Sequence, residues 1–538
     1  MSSELLGCLS SNHTMAATTG RAHAISLVAL LFSAATTGFA YLSSVYSEAL
    51  KNELGLSQDN IDTISMFVGA AGFLGVVPGR IADVLGSRRA IAFGGLLQSL
   101  SYSGQYVVAR KMFEAVRPLY ALCFLNFVSW VGVATTAAAS FAALSRLYAG
   151  HQGLVVGVGK CWVGLIGALA TQGYRGFAPS TSDATDIDFI LVLAAVALAH
   201  TWLAALALRP AALAETFDGS PRPGRRRAIL CIIFLSIVFT TVQAVAPLEG
   251  TVRVATAAAV LALYAAPVAT AVLLPPDDAA AAAAAREPLL VDAKPALRGL
   301  STLEMLREPS CWLLLWTFGA VVGGGVIVTV NGAQQAIAAG APNGADTVVT
   351  LFAVAQSITR VGAGLGSPVA RGARAARLSL QRGRHGLRAR DHVAVDARGT
   401  LPRLRLRRRG LFSRVLSRGP AVSRNRRLQA YGSAFPTLVI LVKELWGDKN
   451  YGANYNVFDG GGSCVGTVVF AKYMVQAFYD AHKEPLDDDG YTCDGPRCFP
   501  YPVVVCCEAS ALAAALLLNF GPLKPPAFDE RRKRLSAQ

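Results

Sequence analysis

The apolar residues of this chain fall in blocks of about 20, separated by polar, Gly- or Pro-rich breaks. An α-helix of that length spans the ~30 Å hydrocarbon core of a bilayer at ~1.5 Å per residue. Spans are predicted at 25–46, 61–82, 91–109, 119–145, 154–173 and 188–208, then 228–247, 252–274, 311–330 and 346–366, and finally 457–479 and 501–520, with a short apolar stretch at 430–445 that is too brief to count with the rest. Only 16% of the 538 residues are charged against 53% hydrophobic, and a water-soluble chain has no surface on which to hide that excess. The fold expected is therefore all-α, a polytopic transmembrane helical bundle in contact with the lipid bilayer.

The net charge of +16 is local. The stretch Arg371–Arg427 contains eighteen arginines, no lysine and two acids, Asp391 and Asp396, so it carries the whole of the +16 and the remainder is neutral. Clustered arginine attracts phosphate, so a nucleic-acid or anionic-lipid arm is one reading of it. The stretch also replaces about one and a half helices that a duplicated bundle needs, and in a chain with forty arginines and ten lysines a shifted frame readily yields such text. Residues 367–429 are accordingly expected to be a translated frameshift or a wrongly bounded exon, and no nucleic-acid partner is expected.

Lysine and arginine asymmetry sets orientation. Arg80, Arg88 and Arg89 after the second span, Arg222 and Arg225–Arg227 after the sixth, and Lys524 and Arg531–Arg534 in the tail share a side if the spans alternate and are even in number. Both termini are expected in the cytoplasm. The loop with Arg110, Lys111 and Arg117 is the discordant one.

The loop after span two reads Gly79-Arg80-Ile81-Ala82-Asp83-Val84-Leu85-Gly86-Ser87-Arg88-Arg89. Two glycines allow a tight turn between helices, and Asp83 is free to meet a helix N-terminus or a nearby arginine. This run resembles the gating-loop signature of the major facilitator superfamily, in residue identity, spacing and place, with Gly79, Asp83, Gly86 and Arg88 as its markers. A weaker echo at Thr359–Ser367 puts Gly364 where Gly79 stands, with Pro368 in place of the aspartate.

At finer grain the chain is similar to the nodulin-like branch of that superfamily. Leu50-Lys51, Gln58, Asp62–Ser65, Gly157, Lys160, Gly164-Leu165, Thr171-Gln172, Asn331, Gln334, Arg360–Gly364 and Cys493-x-Gly495-x-x-Cys498 carry the likeness. The resemblance implies two pseudo-symmetric six-helix bundles, here with two extra central helices, working as a secondary transporter of a small solute. The parts expected are a tail at 1–24, an N-terminal bundle at 25–208, a basic linker at 209–227, the extra pair at 228–274 and a cytoplasmic loop at 275–308. The first two helices of the C-terminal bundle follow at 309–366, the anomalous segment at 367–429, the rest of that bundle at 430–520 and a basic tail at 521–538.

An ionisable group in hydrocarbon costs several kcal/mol unless it faces a cavity or a partner. Lys160 and Arg360, each about two turns inside a span, are therefore pathway candidates, and equally good clamps between helices. Asn331 and Gln334 near one helix end read as interhelical hydrogen bonds or substrate contacts. Tyr41, Lys472 and His200 are weaker candidates. Two cations in a central cavity suggest an anionic substrate such as a small carboxylate. Asp62, Asp459 and Glu508 fall near span ends, so no proton-coupling carboxylate stands out. Cys493 and Cys498 in a polar loop are expected to form a disulfide on the oxidising face. No nucleophile elbow, complete P-loop or zinc pair is present in the sequence, so neither an enzyme nor a cofactor is expected. The alternatives are a non-transporting sensor or receptor on the same scaffold, or an inactive chain.

Overall fold

The computed structural model describes residues 3–112, 117–148, 151–178, 183–209, 221–246, 248–275, 299–330, 350–365, 421–447 and 450–482, with short pieces at 484–485, 491–492 and between 502 and 512. Among these, seven helices are long and apolar enough to cross a membrane, or eight when a bent pair counts as one span. The described residues are all-α apart from a two-residue antiparallel pairing of 484–485 with 491–492.

The chain is helical from Ser3 to Thr36 (α1), turns through a 3-10 segment at Thr37–Tyr41 and continues as α2, Ser43–Leu54. The break has a local cause. The Thr36 and Thr37 hydroxyls donate back to the Ser33 and Ala34 carbonyls at 2.9 and 2.7 Å, and such back-bonding bends helices. Helix α2 stops at Gly55 in the left-handed region, φ 61°.

Helix α3 (Gln58–Ala70) is capped by Ser57, whose side chain accepts from the Asn60 amide at 3.2 Å, and a 3-10 turn at Ala71–Leu74 leads into α4 (Val76–Ala109). Inside α4, Gly86 has φ 72° and ψ 160°, so this run is the end of one span and the whole of the next. Helices α5 (Pro118–Leu147), α6 (Gln152–Phe177) and α7 (Asp183–Ala207) complete the first half. Helix α4 packs along α5 and α7, and α1 lies among α5, α6 and α7.

The pair α8 (Pro223–Val245) and α9 (Gly250–Leu273) is central in sequence and peripheral in space. The two pack on each other and on α6, while Phe234, Leu235, Val252 and Leu273 face outward, as expected beside lipid. Gly176 of α6 makes the docking possible, since a Cβ there would lie 2.0 Å from that of Ala257.

In the second half, Ser301 and Glu304 form a capping box on the short α10 (Thr302–Leu306), followed by α11 (Pro309–Val330) and α12 (350–365). Then come α13 (Ala421–Trp446), α14 (Tyr451–Cys464), a π-helical stretch Val465–Met474 and α15 (Val475–His482). Helix α11 packs against α14 and the π-helical stretch.

Candidate functional site

Two helix crossings join the halves, and glycine makes both. Where α4 and the turn before it meet α14, a Cβ on Gly72 would fall 2.0 Å from the Gly460 carbonyl oxygen, and one on Gly79 would fall 2.3 Å from that of Gly452. Where α6 meets α12, a Cβ on Gly157 would come within 2.8 Å of the Gly364 Cα. Small residues spaced by about one turn let helix backbones approach closely in a membrane, where lipid removes the hydrophobic drive for association. At the end of the first crossing the Asp83 carboxylate accepts from the Gly452 and Ala453 amides at 2.9 and 3.1 Å. Those amides open α14, so a negative charge sits where the helix presents unpaired donors and the positive end of its dipole.

Between the crossings lies a cavity of about 190 Å³. Tyr41, Tyr102, Asn126 and Lys160 line it from the first half, and Phe435, Asp459 and Thr467 from the second. That volume suits a small solute, since pockets for drug-sized ligands run ~300–1,000 Å³.

Lys160 is 3% exposed and is held from three directions. Its ammonium donates to the Tyr455 hydroxyl at 2.6 Å, stands 3.7 Å from Asp459 Oδ1 and lies 4.2 Å from the centre of the Phe141 ring. Tyr455 in turn donates to Asp459 Oδ1 at 2.8 Å, so α6 and α14 are bridged by an ammonium, a phenol and a carboxylate in series.

Arg360 is fully buried one layer behind. Its guanidinium donates to the Lys160 carbonyl and to Gln356 Oε1, each at 2.7 Å, and rests 4.8 Å from the Phe435 ring and 5.9 Å from Tyr41. Arg360 Nε has no hydrogen-bond partner. Two cations and one carboxylate thus leave the site with an excess of one positive charge among the described residues.

Residues 23–276, just under half of the chain, match the Nodulin-like family. That segment is similar to the Nodulin-like family. The fold resembles that of XylE: a double-tryptophan mutant of that protein superimposes with a TM-score of 0.53 at 13% identity, over 95% of this chain and 98% of that one. Other solved structures of similar extent include the proton:xylose symporter XylE with 6-bromo-6-deoxy-D-glucose, TM-score 0.49 at 12% identity over 93% and 96% of the two chains. The human organic anion transporter MFSD10 (TETRAN) has a TM-score of 0.46 at 12% identity over 92% and 99%. XylE is the xylose transporter of E. coli. No match was found among curated proteins.

The candidates picked from sequence separate into three groups. Tyr41 and Lys160 line the cavity, and Arg360 stands behind them against the Lys160 backbone. Gly79 and Asp83 build the crossing of α4 and α14, while Gly86 is the exposed kink that follows in α4 and Arg88 is exposed beyond it. Asn331, Gln334, Cys493 and Cys498 lie outside the described residues, as does most of the 367–429 segment. Of the weaker candidates, His200 Nδ1 pairs with the Val196 carbonyl at 2.8 Å, and Lys472 reaches Thr63 at 3.4 Å.

Asp459 and Tyr455 were missed, and Asp459 was expected near a span end. The helix begins at Tyr451, not at 457, which puts Asp459 more than two turns inside. The cause is composition. Gly452, Asn456 and Gly460 give 451–462 little hydropathy, and these are the residues that face Gly79, Gly75 and Gly72. A signal was present in the Tyr455 and Asp459 pair, four residues apart and hence on one helix face.

Proposed function

We propose that this protein carries a small anionic solute across a membrane by alternating access, with the anion bound in the central cavity against Lys160. The transporter fold supports the class of activity, and one observation supports the sign of the cargo: two buried cations share a single carboxylate. An uncompensated charge in a low-dielectric interior is costly, and an anion entering the cavity relieves it. Arg360 contributes from behind, by fixing the Lys160 backbone and adding positive potential without touching the solute.

The two crossings supply what alternating access requires. Glycine contacts let α4 slide against α14 and α6 against α12 as packed rods, and Asp83 holds one end of the first pair shut. The basic loops support a cytoplasmic position for that end and for both termini. Uptake of radiolabelled anions into proteoliposomes tests the proposal: Lys160→Ala combined with Arg360→Ala is expected to abolish saturable flux in a well-folded protein. Flux equal to that of the unaltered protein would refute the anion site.

A further inference from the structure

The central site does not account for Lys472, a third cation in the helices of the two crossings. We infer that Lys472, with the Thr63 hydroxyl beside it, forms a second anion-binding site at the end of the cavity opposite Asp83, where a small anion is held on its way to or from Lys160. The inference rests on the anionic cargo proposed above.

Helix α14 and the π-helical stretch run on from the Asp83 contact as one helix, and Asp459, Ser463 and Thr467, four residues apart, present one face of it to the cavity. The winding then decides where Lys472 falls. An α-helix advances ~100° per residue, which over the five residues from Thr467 would carry Lys472 ~140° away from that face. A π-helix, with about 4.4 residues per turn, advances ~80° and leaves Lys472 within about 40° of it; such turns are rare and gather at functional sites. The lysine therefore continues the cavity-facing row, and its ammonium donates to Thr63 Oγ1 of α3 at 3.4 Å. The same two elements meet one step deeper, where a Cβ on Gly69 would lie 2.6 Å from that of Thr467.

The cavity reaches this level. Along α3 it is lined by Ile61, Ile64, Ser65, Val68 and Gly69, so its wall passes on either side of Thr63. Most of that wall is apolar, and Val322 and Val326 of α11 continue it. A half-buried ammonium beside such a wall has lost much of its hydration, and a neutral hydroxyl at 3.4 Å restores little of it. Among the described residues Lys472 forms no ion pair, whereas Lys160 has Asp459, Arg110 has Asp188 and Arg175 has Asp186. A small anion from the cavity supplies the missing counter-charge. Two cationic sites in series also suit passage, since each must bind firmly enough to admit an ion and weakly enough to hand it on.

A thiol introduced by Thr63→Cys in the full-length protein, in proteoliposomes, probes this ammonium; Ser65→Cys, on the cavity wall, serves as a second probe. Two thiosulfonates of similar size, one bearing a sulfonate and one an ammonium, read the local charge when each is scaled to its rate with a free thiol. The sulfonate reagent is expected to react about tenfold faster, an advantage that Lys472→Arg keeps and Lys472→Gln or Lys472→Met loses. Pyruvate, sulfate or phosphate at constant ionic strength is expected to slow the sulfonate reagent, and still to do so when Lys160→Met has removed the central site. Equal scaled rates with Lys472 in place, as an acid paired to the ammonium would give, overturn the outer site. So does protection that is absent, or that disappears in Lys160→Met. In each of those cases, radiolabelled anion that still binds through Lys160 leaves the proposed function standing. Failure of all three anions both to protect and to bind at Lys160 overturns the central site and this inference with it.

Discussion

Replacing Asp83 by alanine removes one connection between the halves and leaves the cavity intact. The carboxylate accepts two amide hydrogen bonds at 2.9 and 3.1 Å from the first turn of α14, across about 370 residues of sequence. A carboxylate at a partly buried helix N-terminus contributes up to ~2 kcal/mol, and loss of an N-terminal cap costs ~0.5–2 kcal/mol. Taking about 2 kcal/mol, and a factor of ten per ~1.4 kcal/mol, the equilibrium between closed and open arrangements of this end should move about thirtyfold towards open. Arg88 and Leu303 are exposed on either side of this contact, and α10, which carries Leu303, packs against α14. Spin labels at these two positions report the separation directly by pulsed electron resonance. The unaltered protein should give one short distance, and Asp83→Ala a second, longer population. Asp83→Asn, which keeps an acceptor and loses the charge, should fall between them. Identical distance distributions for all three would refute the claim that this carboxylate holds the end shut.

Two glycine substitutions separate backbone conformation from close packing. Gly86→Ala meets open space but sits at φ 72°, so it should cost only ~1 kcal/mol and a few degrees in thermal unfolding, whereas Gly79→Val drives a side chain into the Gly452 backbone and should destroy the crossing, read as loss of monodisperse protein. Gly176→Leu should detach the α8 and α9 pair from α6, because a Cβ there already lies 2.0 Å from that of Ala257; limited proteolysis of the loop before α8 should accelerate while the N-terminal bundle stays folded.

The fold was legible because hydropathy over about 20 residues reports burial in lipid, which composition alone decides. The site was half legible for the same reason. Lys160 and Arg360 stood out as charges in otherwise apolar runs, and the cavity does form around Lys160. Asp459 did not stand out, because its helix meets α4 through glycine and asparagine, and the residues that allow close approach are those that dilute the hydropathy signal. Asp83 was legible as a motif and as chemistry, since a carboxylate near a glycine turn has few partners besides a helix N-terminus or a guanidinium. That its partner would be α14 depends on which helices lie adjacent, and residues 83 and 452 are related only through the folded bundle. The layer occupied by Arg360 was likewise hidden, because periodicity places a residue on a helix face and gives no distance from the cavity.

The contacts along α6 and α4 also fix where a rocking motion of the proposed kind must turn. Each crossing is held at three levels. Along α6 these are Gly157 against Gly364, Gly164 against Ser357, and Gln172 donating to Thr350 at 3.0 Å. At the other crossing, from α4 back through the 3-10 turn to α3, they are Gly79 against Gly452, Gly72 against Gly460, and Gly69 against Thr467. Opening either end of the cavity breaks the contacts at that end, so those retained in both states must be the middle ones. Lys160 lies one turn from Gly164, and Asp459 is adjacent to Gly460, which puts the ammonium and the carboxylate at the level of the pivot. A charge pair at a pivot keeps nearly the same geometry while the ends move. In the proposed cycle, therefore, this pair leaves the direction of opening unbiased, and the bias is left to end contacts such as those of Asp83 and Gln172.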